Sequence, residues 1–165
     1  MTTNRPFTIE QAIVWAEDLC SRAEYASGEI LERLIRKGMT RSEAARIVEH
    51  LIDRRFIDDA RFARAFVRDK VIYARWGKRK VAMAMYRKRI ARDIINDAIS
   101  EIDYDTYIEG LARLLSSRLR KNNRDDSDRP YFDIDYTTRQ SLYRFAASRG
   151  FEPADVSRAL AILLH

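Results

Sequence analysis

Three stretches of this chain repeat one pattern, and that repetition limits what it can fold into more than any other feature. ILERLIRKGMTRSEAARIVEHL, from Ile30, aligns with VAMAMYRKRIARDIINDAISEI, from Val81, and with LYRFAASRGFEPADVSRALAIL, from Leu142. The apolar positions superpose: Ala44, Ile47, Val48 and Leu51 fall on Ile95, Ala98, Ile99 and Ile102, and on Val156, Ala159, Leu160 and Leu163. Each set runs i, i+3, i+4, i+7, which is the buried stripe of an amphipathic helix. An apolar residue, Met39, Ile90 or Phe151, precedes that helix in every copy. The chain is therefore predicted to be all-α, with nine helices in three tandem three-helix repeats forming an elongated, curved array.

The expected modules are residues 1–56, 57–103 and 104–165. In the first, Thr8 and Gln11 form a capping box ahead of a helix whose inner face is Ile9, Ala12, Ile13, Ala16, Leu19 and Cys20. A second helix from Ser27 stops at Gly38, and a third starts at Thr40, boxed by Glu43. Asp58 and Asp59 open the second module. Its second helix ends at Arg89, where the other copies have Gly38 and Gly150, so Arg89 either accepts left-handed strain of about 1 kcal/mol or ends the helix differently. The third module carries a polar insertion at 121–136, expected to be a mobile surface loop, then a capping box at Thr137 and Gln140, and Pro153 as a first helical residue.

Charge is concentrated in the middle. From Arg61 to Arg92 there are twelve Lys or Arg against one acid, Asp69, in a chain whose net charge is only +6. Phe62, Phe66, Val67 and Tyr73 lie near helical spacing, as do Val81, Ala82, Met85 and Tyr86 beyond a break at Trp76 and Gly77. Lys80, Arg87 and Lys88 share the face opposite the second stripe, around Ala84. Like charges so placed repel by a few tenths of a kcal/mol per pair. An anionic partner, a phosphate backbone or an acidic groove, would offset that cost; the plain alternative is a solvated face. Trp76 stands among cations, where it either packs between modules or stacks on a base.

The sequence offers little for catalysis. His50 and His165 are the only histidines, too few for a triad or a metal cluster. GxGxxG, GxxxxGK[ST] and HExxH are absent. Asp58 and Asp59 read as helix-start residues, not a metal or acid/base pair, and Asp125 to Asp128 lack the glycine and glutamate of a calcium loop. No enzymatic activity, cofactor or metal is expected. The N-terminus has no signal-peptide core and no apolar run reaches membrane-spanning length, so a cytoplasmic protein without membrane contact is expected. Cys20, the single cysteine, is expected to be a small buried hydrophobe.

IDDARFARAFVRDK, Ile57 to Lys70, followed by Gly77-Lys78 and a helix ending RKRI, resembles the central signature of the RecX regulatory proteins. SRAEYASGEILERLIRKGMT, Ser21 to Thr40, resembles that family's first module. The similarity is strongest over about Ser21 to Ile102; Tyr25, Ile30 and Arg89 stand where the family commonly has other residues. The resemblance implies a non-enzymatic modulator that lies in the groove of the RecA filament on single-stranded DNA and damps strand exchange, ATP hydrolysis and coprotease activity. The candidate contacts are Arg61, Arg64, Arg68, Arg75, Trp76, Lys78, Arg79, Lys80, Arg87 and Lys88. Weak single- or double-stranded DNA binding and a monomeric state accompany this expectation. A direct DNA-binding protein of helix-turn-helix type is the alternative, and an inert helical scaffold a third.

Overall fold

A computed structural model describes residues 7–122 and 134–165, and among these the chain is helical, with no strand. The helices are α1 (Ile9–Arg22), α2 (Ser27–Arg36), α3 (Arg41–Asp53), α4 (Asp59–Arg68), α5 (Lys78–Arg87), α6 (Arg92–Ser100), α7 (Tyr104–Asn122), α8 (Tyr136–Ser148) and α9 (Pro153–Leu163). The helical repeat predicted from the three aligned stretches is thus present. The aspartates at 125–128 and most of the predicted loop, residues 123–133, lie outside the described residues. Lys121 and Asn122 belong to α7 and Tyr136 begins α8, so the helices reach into both ends of the 121–136 segment.

Local chemistry explains where the helices begin. Thr8 and Thr40 accept hydrogen bonds from the amides of Gln11 and Glu43, whose side chains bond back to the threonine amides, so both predicted boxes form. The box expected at Thr137 and Gln140 does not. Asp135 caps α8 instead, accepting from the Thr138 amide at 2.6 Å, and Thr137 is already inside the helix. An aspartate caps at least as well as a threonine and adds a favourable charge at the positive end of the helix dipole. Pro153 starts α9 as predicted.

The chain divides into two compact units. One takes the described residues up to Ala65 together with Met85–Asn96; the other takes the described residues of Phe66–Ala84 and Asp97–His165. The boundaries fall inside α4, α5 and α6, so the middle repeat contributes to both. In the first unit α1 and α2 pack on α3, and Ala12, Ala16, Ile30, Leu34, Ile47 and Leu51 are sealed from solvent. Trp15 packs on the rim of this core, edge-on to Phe7 at 6.3 Å. Cys20 is half-buried beside it, and burial, reinforced by Glu24, pushes its thiol pKa up. In the second unit α7 packs on α9, with α8 against both, and Leu111, Leu115, Leu142, Val156 and Leu160 form the centre. Each such Leu, Ile or Val contributes roughly 1.5–3 kcal/mol by leaving water.

Two features of the middle repeat escape periodicity. Helix α4 does not stop at Arg68 but widens into a π-helical turn over Asp69–Tyr73, which packs on α7. The Ala74 amide closes it on the Asp69 carbonyl at 3.1 Å, and the Trp76 amide bonds the Lys70 carbonyl at 2.9 Å. The second feature is left-handed backbone at three arginines, Arg55 (φ 60°), Arg75 (φ 55°) and Arg89 (φ 61°). Arg89 therefore accepts the strain. Its Cβ lies so near Gly28 that a Cβ added there would be 2.8 Å away, and its guanidinium pairs with Glu32 at 3.0 Å. Arg55 has no comparable anchor; only a long 3.5 Å bond from Arg61 reaches its carbonyl. Arg55→Gly is expected to raise stability by about 0.5 kcal/mol, strain relief outweighing added chain entropy, while Arg89→Gly gives no gain. Urea midpoints at constant m-value check the pair.

Candidate nucleic-acid interface

In the first unit the paired aspartates serve helix ends. Asp58 accepts from the Arg61 amide at 2.9 Å, the helix-start role expected of it. Asp59 reaches farther: it accepts from the Ser27 amide at 2.7 Å and the Ser27 hydroxyl at 2.6 Å. Helix α2 has Ala26 at its N-cap, with no side-chain oxygen to offer, so a carboxylate from α4 supplies the cap. Asp59→Ala is expected to cost about 1–2 kcal/mol in thermal unfolding, and Asp59→Asn about half of that.

Beside this junction is an open cleft of about 440 Å³ lined by α2 (Gly28, Glu29, Glu32, Arg33, Arg36) and the end of α5 (Arg87, Lys88, Arg89). Gly28 lets the two approach: an added Cβ would sit 2.7 Å from the Lys88 carbonyl. Lys88 pairs with Glu29 and Arg89 with Glu32 across the cleft. Arg33, Arg36 and Arg87 are exposed, and none pairs with a carboxylate among the described residues; Arg33 lies over the Tyr25 ring at 5.0 Å. The cleft thus holds five cations against two acids, and both acids are engaged. Of the other predicted contacts in this unit, Arg61 is held by Glu24 at 2.7 Å, and Arg64 is exposed with no carboxylate partner among the described residues.

The second unit holds the rest. Arg68 is exposed. Arg75 turns inward: its guanidinium lies against Gly110 of α7, where an added Cβ would be 2.7 Å from Nη1. The Lys78 amide donates to the Tyr107 hydroxyl at 3.0 Å, and its ammonium lies 5.0 Å from the Tyr107 ring centroid and 5.3 Å from that of Tyr104. Burial pushes the Tyr107 phenol pKa far above its ordinary range, so it stays protonated. Tyr104 donates to the buried Asp155 carboxylate at 3.0 Å. Arg79 is exposed, with Glu152 at 3.8 Å. Trp76 is half-buried beneath two ammonium groups, Lys80 at 4.4 Å and Lys70 at 5.2 Å from the ring centroid.

The predicted contacts accordingly divide into two groups: Arg61, Arg64, Arg87 and Lys88 in one unit, and Arg68, Arg75, Trp76, Lys78, Arg79 and Lys80 in the other. Arg33 and Arg36 were outside the basic segment that sequence reasoning followed. Their signal was weak, two arginines at i, i+3 on α2 in a module of balanced charge. Among the described residues, no His, Cys, Asp and Glu cluster could hold a metal ion, and no helix is long and apolar enough to cross a membrane.

Comparisons with known proteins bear on this surface. Residues 58–99 match the family model described as RecX, second three-helix domain. The regulatory protein RecX of Mycobacterium sp. strain KMS is 28% identical over 90% of this chain and 79% of its own. That of Vibrio campbellii is 27% identical over 88% of this chain and 87% of its own. The crystal structure of RecX from Lactobacillus salivarius superposes with a TM-score of 0.80 over 94% of this chain and 96% of that one, at 19% identity, which establishes the fold.

Proposed function

The chain belongs to the RecX family, and from that premise we propose that it is a non-enzymatic regulator that binds the RecA filament on single-stranded DNA and damps recombination, ATP hydrolysis and coprotease activity. The observation that carries this reading is the balance of pairing in the basic segment. Of its twelve cations, Arg61, Lys70, Arg79, Lys88 and Arg89 have a carboxylate within 4 Å. Arg64, Arg68, Arg75, Lys78, Lys80, Arg87 and Arg92 have none among the described residues. Cations left without a carboxylate to neutralise them favour a polyanion outside the chain, and a nucleoprotein filament is one. We read the protein as a cytoplasmic monomer of three modules, at 1–56, 57–103 and 104–165.

The helix-turn-helix alternative has less support. In such proteins the helix after the turn enters the major groove and faces phosphates. Here those helices carry Glu43, Glu49 and Asp53 on α3 and Asp93 and Asp97 on α6, which phosphates repel. Arg41 and Arg46 on α3 and Arg92 on α6 are outnumbered by these acids, and seven of the twelve cations of the basic segment sit on the preceding helices α4 and α5.

Co-sedimentation with RecA and single-stranded DNA, in a nucleotide that keeps the filament assembled, tests the proposal. The protein is expected in the pellet only when both are present, and to slow RecA ATP hydrolysis. Its recovery in the supernatant at saturating filament would overturn the reading, and tight, sequence-selective binding to naked duplex would favour the alternative.

A further inference from the structure

Trp76 is held in a way that core packing does not require. The π-helical turn fixes the backbone before it, Arg75 turns the chain through a left-handed conformation, and Gly77 crosses the backbone of Gly150 immediately after. The indole is consequently on a stiff mount, yet only half-buried, with the Lys80 and Lys70 ammonium groups over it. The two lysines differ. Lys70 is tied to Asp69 at 3.1 Å and also lies 5.5 Å from the Phe66 ring centroid. Lys80 has no carboxylate among the described residues, so the indole is the partner that holds its charge. π-Turns occur preferentially at functional positions.

We propose that Trp76 is a stacking platform for one base of single-stranded nucleic acid, covered in the free protein by Lys80, which swings off the ring onto the neighbouring phosphate as the base arrives. Magnitudes favour the exchange. An exposed cation over an aromatic ring is worth roughly two- to fivefold in an equilibrium constant, whereas a stacked base is worth roughly five- to one-hundred-fold. The displaced ammonium also gains a phosphate, so its charge is never left unpaired. The base slot and the phosphate contact are thus two positions of one lysine side chain. This inference rests on the nucleic-acid part of the function proposed above and adds to it a base-contacting residue.

Trp76 emission tests it directly. Trp15 belongs to the other unit, so the Trp15→Phe protein has Trp76 as its single tryptophan. Titration with oligo(dT) at low salt is expected to quench Trp76 emission by half or more. Inorganic polyphosphate, a polyanion without bases, is expected to bind without that quenching. Trp76→Leu is expected to lower oligo(dT) affinity about tenfold and polyphosphate affinity less than twofold. Equal loss for both polyanions, unchanged Trp76 emission at saturating oligo(dT), or no oligo(dT) binding would each overturn the platform. Should Trp76→Leu fail to fold, the emission titration of Trp15→Phe decides alone. Slowing of RecA ATP hydrolysis by the unsubstituted protein is measured alongside, so a failure of the regulator reading is distinguishable from a failure of the platform.

Discussion

Gly77→Ala is expected to lower the stability of its unit by about 3 kcal/mol or more. The Cβ would fall well inside contact distance of three backbone atoms, Gly150 C and O and Phe151 N. Backbone atoms cannot rotate away as a side chain does. Relief requires the start of α5 to separate from the α8–α9 turn, giving up the hydrogen bonds from the Gly77 amide to Arg149 O (2.7 Å) and from the Arg79 amide to Gly150 O (3.1 Å). Each bond contributes about 0.5–1.5 kcal/mol, and overpacking adds roughly 1–3 kcal/mol. Gly38→Ala is the control: nothing lies within 4 Å of an added Cβ there, and only the positive φ of 99° is penalised, by about 1–2 kcal/mol. Circular dichroism during thermal unfolding reads both variants, since Gly38 and Gly77 lie in different units. A Gly77→Ala midpoint equal to that of Gly38→Ala would show that the crossing is looser than described.

The second large effect is on binding. The double variant Lys80→Glu, Arg87→Glu is expected to weaken inhibition of RecA ATP hydrolysis about one-hundred-fold, with its circular dichroism unchanged and its stability lowered by no more than about 1 kcal/mol through loss of the Lys80–Trp76 contact. Neither side chain pairs with a carboxylate among the described residues, so reversal breaks no internal ion pair. Each lost phosphate contact costs on the order of 1 kcal/mol and each introduced carboxylate repels by about half as much, about 3 kcal/mol for the pair, and 1.4 kcal/mol is tenfold. The dependence of log affinity on log salt should fall by about 1.4, near 0.7 per phosphate contact removed on a single strand. Inhibition at the unsubstituted level by a folded double variant would remove these residues from the interface.

Legibility followed distance along the chain. The repeat, the boxes at Thr8 and Thr40 and the proline start of α9 depend on residues within about one turn of each other, and periodicity finds such features. Asp59 capping Ser27 spans 32 positions, and the Tyr104–Asp155 bond spans 51. No local pattern announces either. The surface was legible as charge but not as geometry. The segment from Arg61 to Arg92 was visible as an excess of cations; that Arg75 turns in against Gly110, that Lys78 serves two tyrosine rings and that Arg33 and Arg36 join Arg87 at a cleft depends on which helices meet. Asp135 displaced the Thr137 box because two good caps competed two residues apart, and the charged one won. The π-turn packs on α7, far away in sequence, and no local pattern announces it.

The two compact units are interleaved along the chain, and this orders their birth on the ribosome. The first unit needs Met85–Asn96, and the second cannot begin its glycine crossing until Gly150 is made. When Asn96 emerges, the nascent polypeptide can complete one unit while Phe66–Ala84 still waits for partners not yet translated. At ordinary elongation rates of about 5–20 residues per second, that wait lasts several seconds. For that interval the looped-out segment, with Trp76, Lys70, Lys78 and Lys80, is open to whatever anion or chaperone reaches it first.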